Sequence, residues 1–250
     1  MIEPIHQDVL NWFLYFTFSS FIGWLLETGW RSMRERKFVN SGFLSGPFVP
    51  IYGFGALSIA FLARMAARAN GFMFWVILVI APTVLEYVAS WLLEKSFGLR
   101  LWDYRSEPFN LKGRVCLLFS GFWAVLTVIA ISVVEPFLLE RITGIVLFTR
   151  YFLTGAFLMY FAMDTVWSVR SLINFKTFIA ELKEVAARGG AFLPSLELGA
   201  RRLPREIRRL LKPLKAFPSL VGELKPMLHA IPEWVTSRLE SIVGGRHFLK

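Results

Sequence analysis

The stretch Phe13-Leu-Tyr-Phe-Thr-Phe-Ser-Ser-Phe-Ile-Gly-Trp-Leu-Leu-Glu-Thr-Gly-Trp30 carries no charge until Glu27 and runs straight into Arg31-Ser-Met-Arg-Glu-Arg-Lys37. A helix crossing the hydrocarbon core of a bilayer needs about 20 predominantly apolar residues. The stretch therefore reads as a membrane span from about Leu10 to Trp30, and the basic run after it reads as a stop signal. Residues 1–9 hold Glu3 and Asp8 but no Lys or Arg, so the positive leading region of a cleavable signal is not expected.

Working outward, the same alternation of apolar run and basic break recurs. Further spans are expected over 72–93, 115–139 and 145–169, with a short one over 51–62 that follows a Gly- and Pro-rich entry. The expected fold is an all-α, polytopic helical membrane protein: a transmembrane domain of five spans over 1–170 and a basic cytoplasmic tail over 171–250. Composition agrees. Hydrophobic residues make up 55% of the 250 and charged residues 18%, against about 45–50% and about 25% in soluble domains. Mean hydropathy is +0.53. Cys116 is the single cysteine, which rules out an intrachain disulfide and a cysteine-based zinc cluster.

Positive charge sets the expected orientation, because Lys and Arg accumulate in cytoplasmic loops. Loop one has Arg31, Arg34, Arg36 and Lys37, and loop three has Lys95, Arg100, Arg105, Lys112 and Arg114. Loops two and four hold only the pairs Arg64 and Arg68, and Arg141 and Arg150. Five spans then put the N-terminus outside and the tail in the cytoplasm. The tail carries 14 Lys/Arg against 7 Asp/Glu, or +7 of the chain's net +10. Within it, Leu203, Ile207, Leu210 and Leu211 recur at helical spacing among Arg and Lys, as in a basic amphipathic segment lying on anionic lipid headgroups. Beside membrane spans, that surface is a nearer partner than nucleic acid. Six prolines from Pro194 to Pro232 cut the tail into short pieces.

Carboxylates interrupt the spans at depths where an unpaired charge costs several kcal/mol. Glu27 and Arg31 are spaced for an intrahelical pair. Glu86 lies nearest mid-membrane, and Glu94 follows eight residues on, close to the same helix face. Glu135 precedes Pro136 near the outer end of its span, where an interfacial role is expected. Asp164 has Tyr160 and Ser168 one turn away on either side, and facing a polar interior is one reading of it.

Two segments have unusual chemistry. Asn40-Ser-Gly-Phe-Leu-Ser-Gly-Pro-Phe-Val-Pro-Ile-Tyr-Gly-Phe-Gly55 is apolar but rich in Gly and Pro, hence a poor regular helix. It is either a re-entrant element lining a site or a tight interfacial turn. Glu94-Lys-Ser-Phe-Gly-Leu-Arg-Leu-Trp-Asp-Tyr-Arg-Ser-Glu-Pro-Phe-Asn-Leu-Lys-Gly-Arg114 mixes aromatic rings with ionic groups. There Asp103 can orient Arg105 or Arg114, and an Arg fork can hold a phosphate or carboxylate. The plain alternative is an interfacial loop with Trp102 and Tyr104 at headgroup level.

These segments also carry a likeness. Gly23-Trp24-Leu-Leu-Glu27, Phe38-Val-Asn40, Gly42-Phe-Leu, Gly46-Pro47, Pro50-Ile-Tyr-Gly-Phe-Gly55, Glu86, Glu94-Lys, Trp102-Asp-Tyr104 and Phe109-Asn-Leu, with Gly113-Arg114 and Cys116-Leu, occur in one order. In this the chain resembles the bacterial family of ABC-transporter type IV, or CmpB-like, membrane proteins, over about Asn11 to Trp123. The resemblance implies a multi-pass protein of the bacterial plasma membrane, and its label implies a permease served by a separate ATPase subunit.

The chain holds no G-x-x-x-x-G-K-[ST] loop, no H-E-x-x-H and no G-x-S-x-G, and His6, His229 and His247 lie outside the spans. No cofactor, no metal and no catalytic set is assigned. The candidate substrate-binding residues are Glu27, Arg31, Asn40, Tyr52, Glu86, Glu94, Trp102, Asp103, Tyr104, Asn110 and Arg114. The leading expectation is a permease-like subunit without its own ATPase, acting as a homodimer. A membrane-embedded enzyme on a lipid-linked or phosphorylated substrate, and a non-catalytic scaffold or regulator, stay open as alternatives.

Overall fold

The structure is a computed structural model and describes residues 3–65, 71–98 and 100–187. Its helices are α1 (Glu3–Glu35), α2 (Pro50–Met65), α3 (Gly71–Phe97), α4 (Leu117–Ile129), α5 (Glu135–Thr143) and α6 (Leu147–Ala187). Between α3 and α4 a hairpin pairs β1 (Asn110–Leu111) antiparallel with β2 (Val115–Cys116). A π turn over Ala130–Val134 joins α4 to α5. The ring of Pro136 excludes the carbonyl four residues back and supplies no amide, so the helix widens by one residue ahead of it rather than stopping.

Four helical segments are long and apolar enough to cross a membrane: Val9–Glu35, Gly71–Phe97, Leu117–Thr143 and Leu147–Thr177. The chain is thus an all-α polytopic membrane protein. The fifth expected span, 51–62, is α2, which has 16 residues. At 1.5 Å per residue it is about 24 Å long, short of the hydrocarbon core of about 30 Å. The last helix runs past the expected end at 169 to Ala187. The basic amphipathic segment of the tail lies outside the described residues.

α2 returns antiparallel along α1. The Gly53 backbone sits on Phe16 and Ser20, where an added Cβ would come 2.7 Å from the Phe16 carbonyl oxygen. Close backbone approach at small residues is how helices associate where lipid removes the usual hydrophobic drive. At the far end of α2 the Arg64 guanidinium lies 4.6 Å from the Trp12 ring centroid and bridges Glu135 at 2.8 Å. Glu135, expected at the interface, is paired there with Arg64, with its side chain 12% exposed. Leu14, Tyr15, Ala56, Ala60, Leu138 and Ile142 form the core between α1, α2 and α5. The outward faces carry Phe61, Phe72, Val84, Phe122, Phe152 and Met159. In a membrane protein these are the lipid contacts.

From Val39 to Val49 the segment between α1 and α2 is a largely buried non-helical loop. Backbone at membrane depth must find its hydrogen bonds within the protein, and here side chains supply them. Thr28 Oγ1 accepts from Ser41 N at 3.2 Å and Ser32 Oγ from Val39 N at 3.0 Å. The two Asp164 oxygens accept from Ser45 N and Gly46 N, each at 2.8 Å. The Ser20 carbonyl accepts from Val49 N at 3.0 Å, and Pro50, which has no amide to satisfy, opens α2. Phe48 packs between Phe21, Phe157 and Phe161. Asp164, read as facing a polar interior, faces this loop.

Two substitutions test this anchor. A Cβ at Gly46 would overlap Tyr160 Oη and lie 2.9 Å from Asp164 Oδ2. Gly46→Ala is therefore expected to destabilise by about 1–3 kcal/mol. Asp164→Asn turns one acceptor into a donor facing an amide, at a similar cost of about 1–3 kcal/mol. Thermal unfolding of purified protein in detergent should show both variants several degrees below wild type, about 2–4 °C per kcal/mol at this size. Unchanged midpoints would remove Asp164 as the loop's anchor.

Candidate functional site

The site is assembled around Glu86, which α3 buries to 5% exposure. Tyr104 Oη donates to Glu86 Oε1 at 3.1 Å and Trp123 Nε1 to Oε2 at 3.0 Å. The two donors come from opposite sides of the hairpin. Tyr104 lies before it, where its amide donates to the Gly113 carbonyl at 2.8 Å and its ring stacks on Phe119 at 4.7 Å. Trp123 lies after it, two turns into α4. Burial, and then the Glu86 carboxylate, push the Tyr104 phenol above its ordinary range, so it stays a donor.

Tyr52, in the first turn of α2, extends the cluster. Its ring is 5.2 Å from that of Trp123 and fills the space left open by Gly23. Glu27 and Glu86 both act electrostatically on the Tyr52 and Tyr104 phenols. Two carboxylates far apart in sequence thus act on the same two tyrosines. Their situations differ. Glu86 has a donor on each oxygen, whereas Glu27 has no hydrogen bond or ion pair among the described residues. Arg31, expected as its partner, acts on it electrostatically but bridges Glu35 at 3.6 Å. Arg31 lies one turn from each acid, and the sequence spacing permits either pair.

The hairpin is held by its own ionic set. Glu94 accepts from Arg100 Nη2 and Arg114 Nη2, both at 2.8 Å. The other terminal nitrogen of Arg114, Nη1, donates to Tyr87 Oη at 3.3 Å, while Nε is buried without a partner among the described residues. The fork expected to hold an anionic ligand therefore engages the protein's own groups. Asp103 accepts from Arg105 Nε at 2.7 Å and from its amide at 3.0 Å. The Arg105 side chain holds the Asp103 carboxyl below its usual range. Trp102 Nε1 donates to the Arg114 carbonyl at 3.0 Å. Asn110 closes the turn, accepting from Gly113 N at 3.0 Å and donating to the Glu107 carbonyl at 2.9 Å. Positive φ at Phe109, Lys112 and Gly113 shapes that turn.

Of the expected residues, Glu86 and Tyr104 are hydrogen-bonded, Tyr52 packs on the Trp123 that also serves Glu86, and Glu27 acts on both tyrosines electrostatically. Glu94 on α3, Trp102 and Asp103 ahead of the hairpin, and Asn110 and Arg114 within it hold the adjoining segment that carries Tyr104. Asn40 is a strut: it accepts from Trp24 Nε1 at 2.5 Å and donates to the Ser45 carbonyl at 2.7 Å. Trp123, Phe119 and Tyr87 were not expected. An indole inside a span rather than at its edge was the available signal for Trp123.

Neither a search of curated proteins nor one of solved structures returns a match to this chain. A family model described as "Putative ABC-transporter type IV" matches residues 14–169. That range takes in every helix from α1 to the body of α6 and all the residues of the Glu27–Glu86 cluster. The chain belongs to this ABC-transporter type IV family.

Proposed function

We propose that the chain is a permease-like membrane subunit that works with a separate ATPase, and that the cluster of Glu27, Tyr52, Glu86, Tyr104 and Trp123 is its substrate-contacting site. The observation that carries this reading is the contrast within the cluster. Glu86 has its hydrogen bonds supplied by the protein, whereas Glu27 is mostly covered and has no hydrogen bond or ion pair among the described residues, with Arg31 acting on it only electrostatically. A carboxylate in that state calls for a ligand with positive charge or several hydrogen-bond donors. The tyrosine and tryptophan rings around it suit the same ligand, since aromatic faces attract cations. In this reading ATP hydrolysis belongs to another chain, since this sequence holds no phosphate-binding loop.

With the short α2 counted as a fifth crossing antiparallel to α1, the proposed topology puts the N-terminus outside and the tail in the cytoplasm. The Glu27–Glu86 cluster then lies toward the cytoplasmic side of the bacterial plasma membrane, where an ATPase would dock. A homodimer would place two such clusters over one ATPase pair. A scaffold role is the second reading, supported by the full engagement of Glu86, Glu94, Asp103 and Asp164 within the fold.

Tagged full-length chain, purified from its own membranes, is expected to bring down a P-loop ATPase whose hydrolysis rises on reconstitution with the chain. The variants separate the readings. Glu27→Gln should leave the unfolding midpoint near wild type, within about 0.5 kcal/mol, while lowering coupled hydrolysis about tenfold. Glu86→Gln should cost about 1–3 kcal/mol in stability, because one of its two donors then faces another donor. Wild-type coupling in Glu27→Gln, or no ATPase partner at all, would leave the scaffold reading in possession.

A further inference from the structure

At the end of the helical bundle opposite the Glu86 cluster, α6 carries a buried cation. Arg150 is the fourth residue of the helix and only 9% exposed. A guanidinium has five donors. Here Nη1 donates to the neutral Asn11 Oδ1 at 2.9 Å, and Nε is sealed from solvent without a partner. No acid bridges Arg150 among the described residues. One turn on, Thr154 Oγ1 is also sealed and without a partner. Beneath them the seam between α1 and α6 is closed by apolar contact, with Leu153 on the core cluster and Phe18 against Phe157 at 6.3 Å. Beside them Phe148 and Tyr151 stand exposed, at 79% and 50%. Aromatic rings at a span's edge mark the headgroup level.

A buried arginine without a counter-ion is costly, and more so beside lipid. The planar fork fits the paired oxygens of phosphate or carboxylate. We propose that Arg150, with Asn11 and Thr154, forms an oxyanion site at the rim of the α1–α6 seam that takes a phosphate group. Both a phospholipid headgroup and free phosphate present this chemistry. Nη2, which is neither sealed nor hydrogen-bonded among the described residues, would take the first oxygen, and a shift of the side chains covering Nε and the Thr154 hydroxyl would let those two donors reach further oxygens. The site is independent of the Glu27–Glu86 cluster and of the role proposed for it.

The test uses full-length protein in a phosphate-free maltoside detergent. Native mass spectrometry follows phosphatidylglycerol, and thermal unfolding follows inorganic phosphate, for wild type, Arg150→Gln and Thr154→Val. Wild type is expected to bind one of the two probes about tenfold more tightly than Thr154→Val, the loss of one charge-assisted hydrogen bond. Arg150→Gln should lose binding. Retention of phosphatidylglycerol alone assigns the site to lipid, and stabilisation by phosphate alone assigns it to a soluble anion. Thr154→Val is nearly isosteric and keeps the test open if Arg150→Gln fails to fold. Binding of neither probe to wild type, or equal binding to wild type and Thr154→Val, overturns the proposal.

Discussion

The carboxylate of Asp164 is the constraint on which the arrangement depends. A loop of bare backbone enters the protein between α1 and α2, and the amides of Ser45 and Gly46 would be orphaned without it. An unmet buried amide costs about 1–3 kcal/mol, and a carboxylate accepting from two amides removes two such penalties at once. In return the two amides, with Ser168 Oγ at 3.3 Å, stabilise the charge. Loop and helix are each tolerable at depth because of the other. The loop then delivers Phe48 to the α1–α6 seam and Pro50 to the start of α2. Tyr52 follows two residues later, facing Gly23. The position of the aromatic wall of the candidate site is thus inherited from a contact on the far side of the bundle.

The same rule, that each buried charge needs donors or a counter-charge, sorts the remaining ionic groups. Glu86 is met by a phenol and an indole, Glu94 by two guanidinium groups and Glu135 by Arg64. Against that background Glu27 and Arg150 stand out, one an acid and one a base, at opposite ends of the bundle. The two deviations are chemically complementary to different ligands, a cation or donor for one and an oxyanion for the other.

Much of the fold was legible because a bilayer imposes a length on apolar runs. The segments around Phe13–Trp30, Trp75–Glu94 and the two later stretches announce themselves by that length. α2 did not, since at 16 residues it meets the criterion for neither a full span nor a loop. The carboxylates of the site were legible because charge at depth is costly, and so Glu27 and Glu86 could be marked. Their partners were not. Arg31 stands one turn from both Glu27 and Glu35, and spacing does not choose between them. Asp164 turned out to serve backbone amides more than a hundred positions away, and amides have no sequence signature. Trp123 was hidden among nine tryptophans, most of which suit a membrane interface. Arg114 looked ready for a ligand because the closeness of Glu94 and Tyr87 is a property of the hairpin's path, which sequence does not display.

The length of α6 has a mechanical consequence. Its 41 residues make an uninterrupted rod about 61 Å long at 1.5 Å per residue. That exceeds the hydrocarbon thickness about twofold. The rod grips the loop between α1 and α2 partway along, through both oxygens of a single side chain. An axial push on the protruding end cannot be absorbed locally, because a helix resists compression far more than a loop resists bending. It must either carry the loop along, and with it the start of α2, or shear two charged hydrogen bonds together. A force along α6 would therefore reach the loop through Asp164, and through the loop the start of α2.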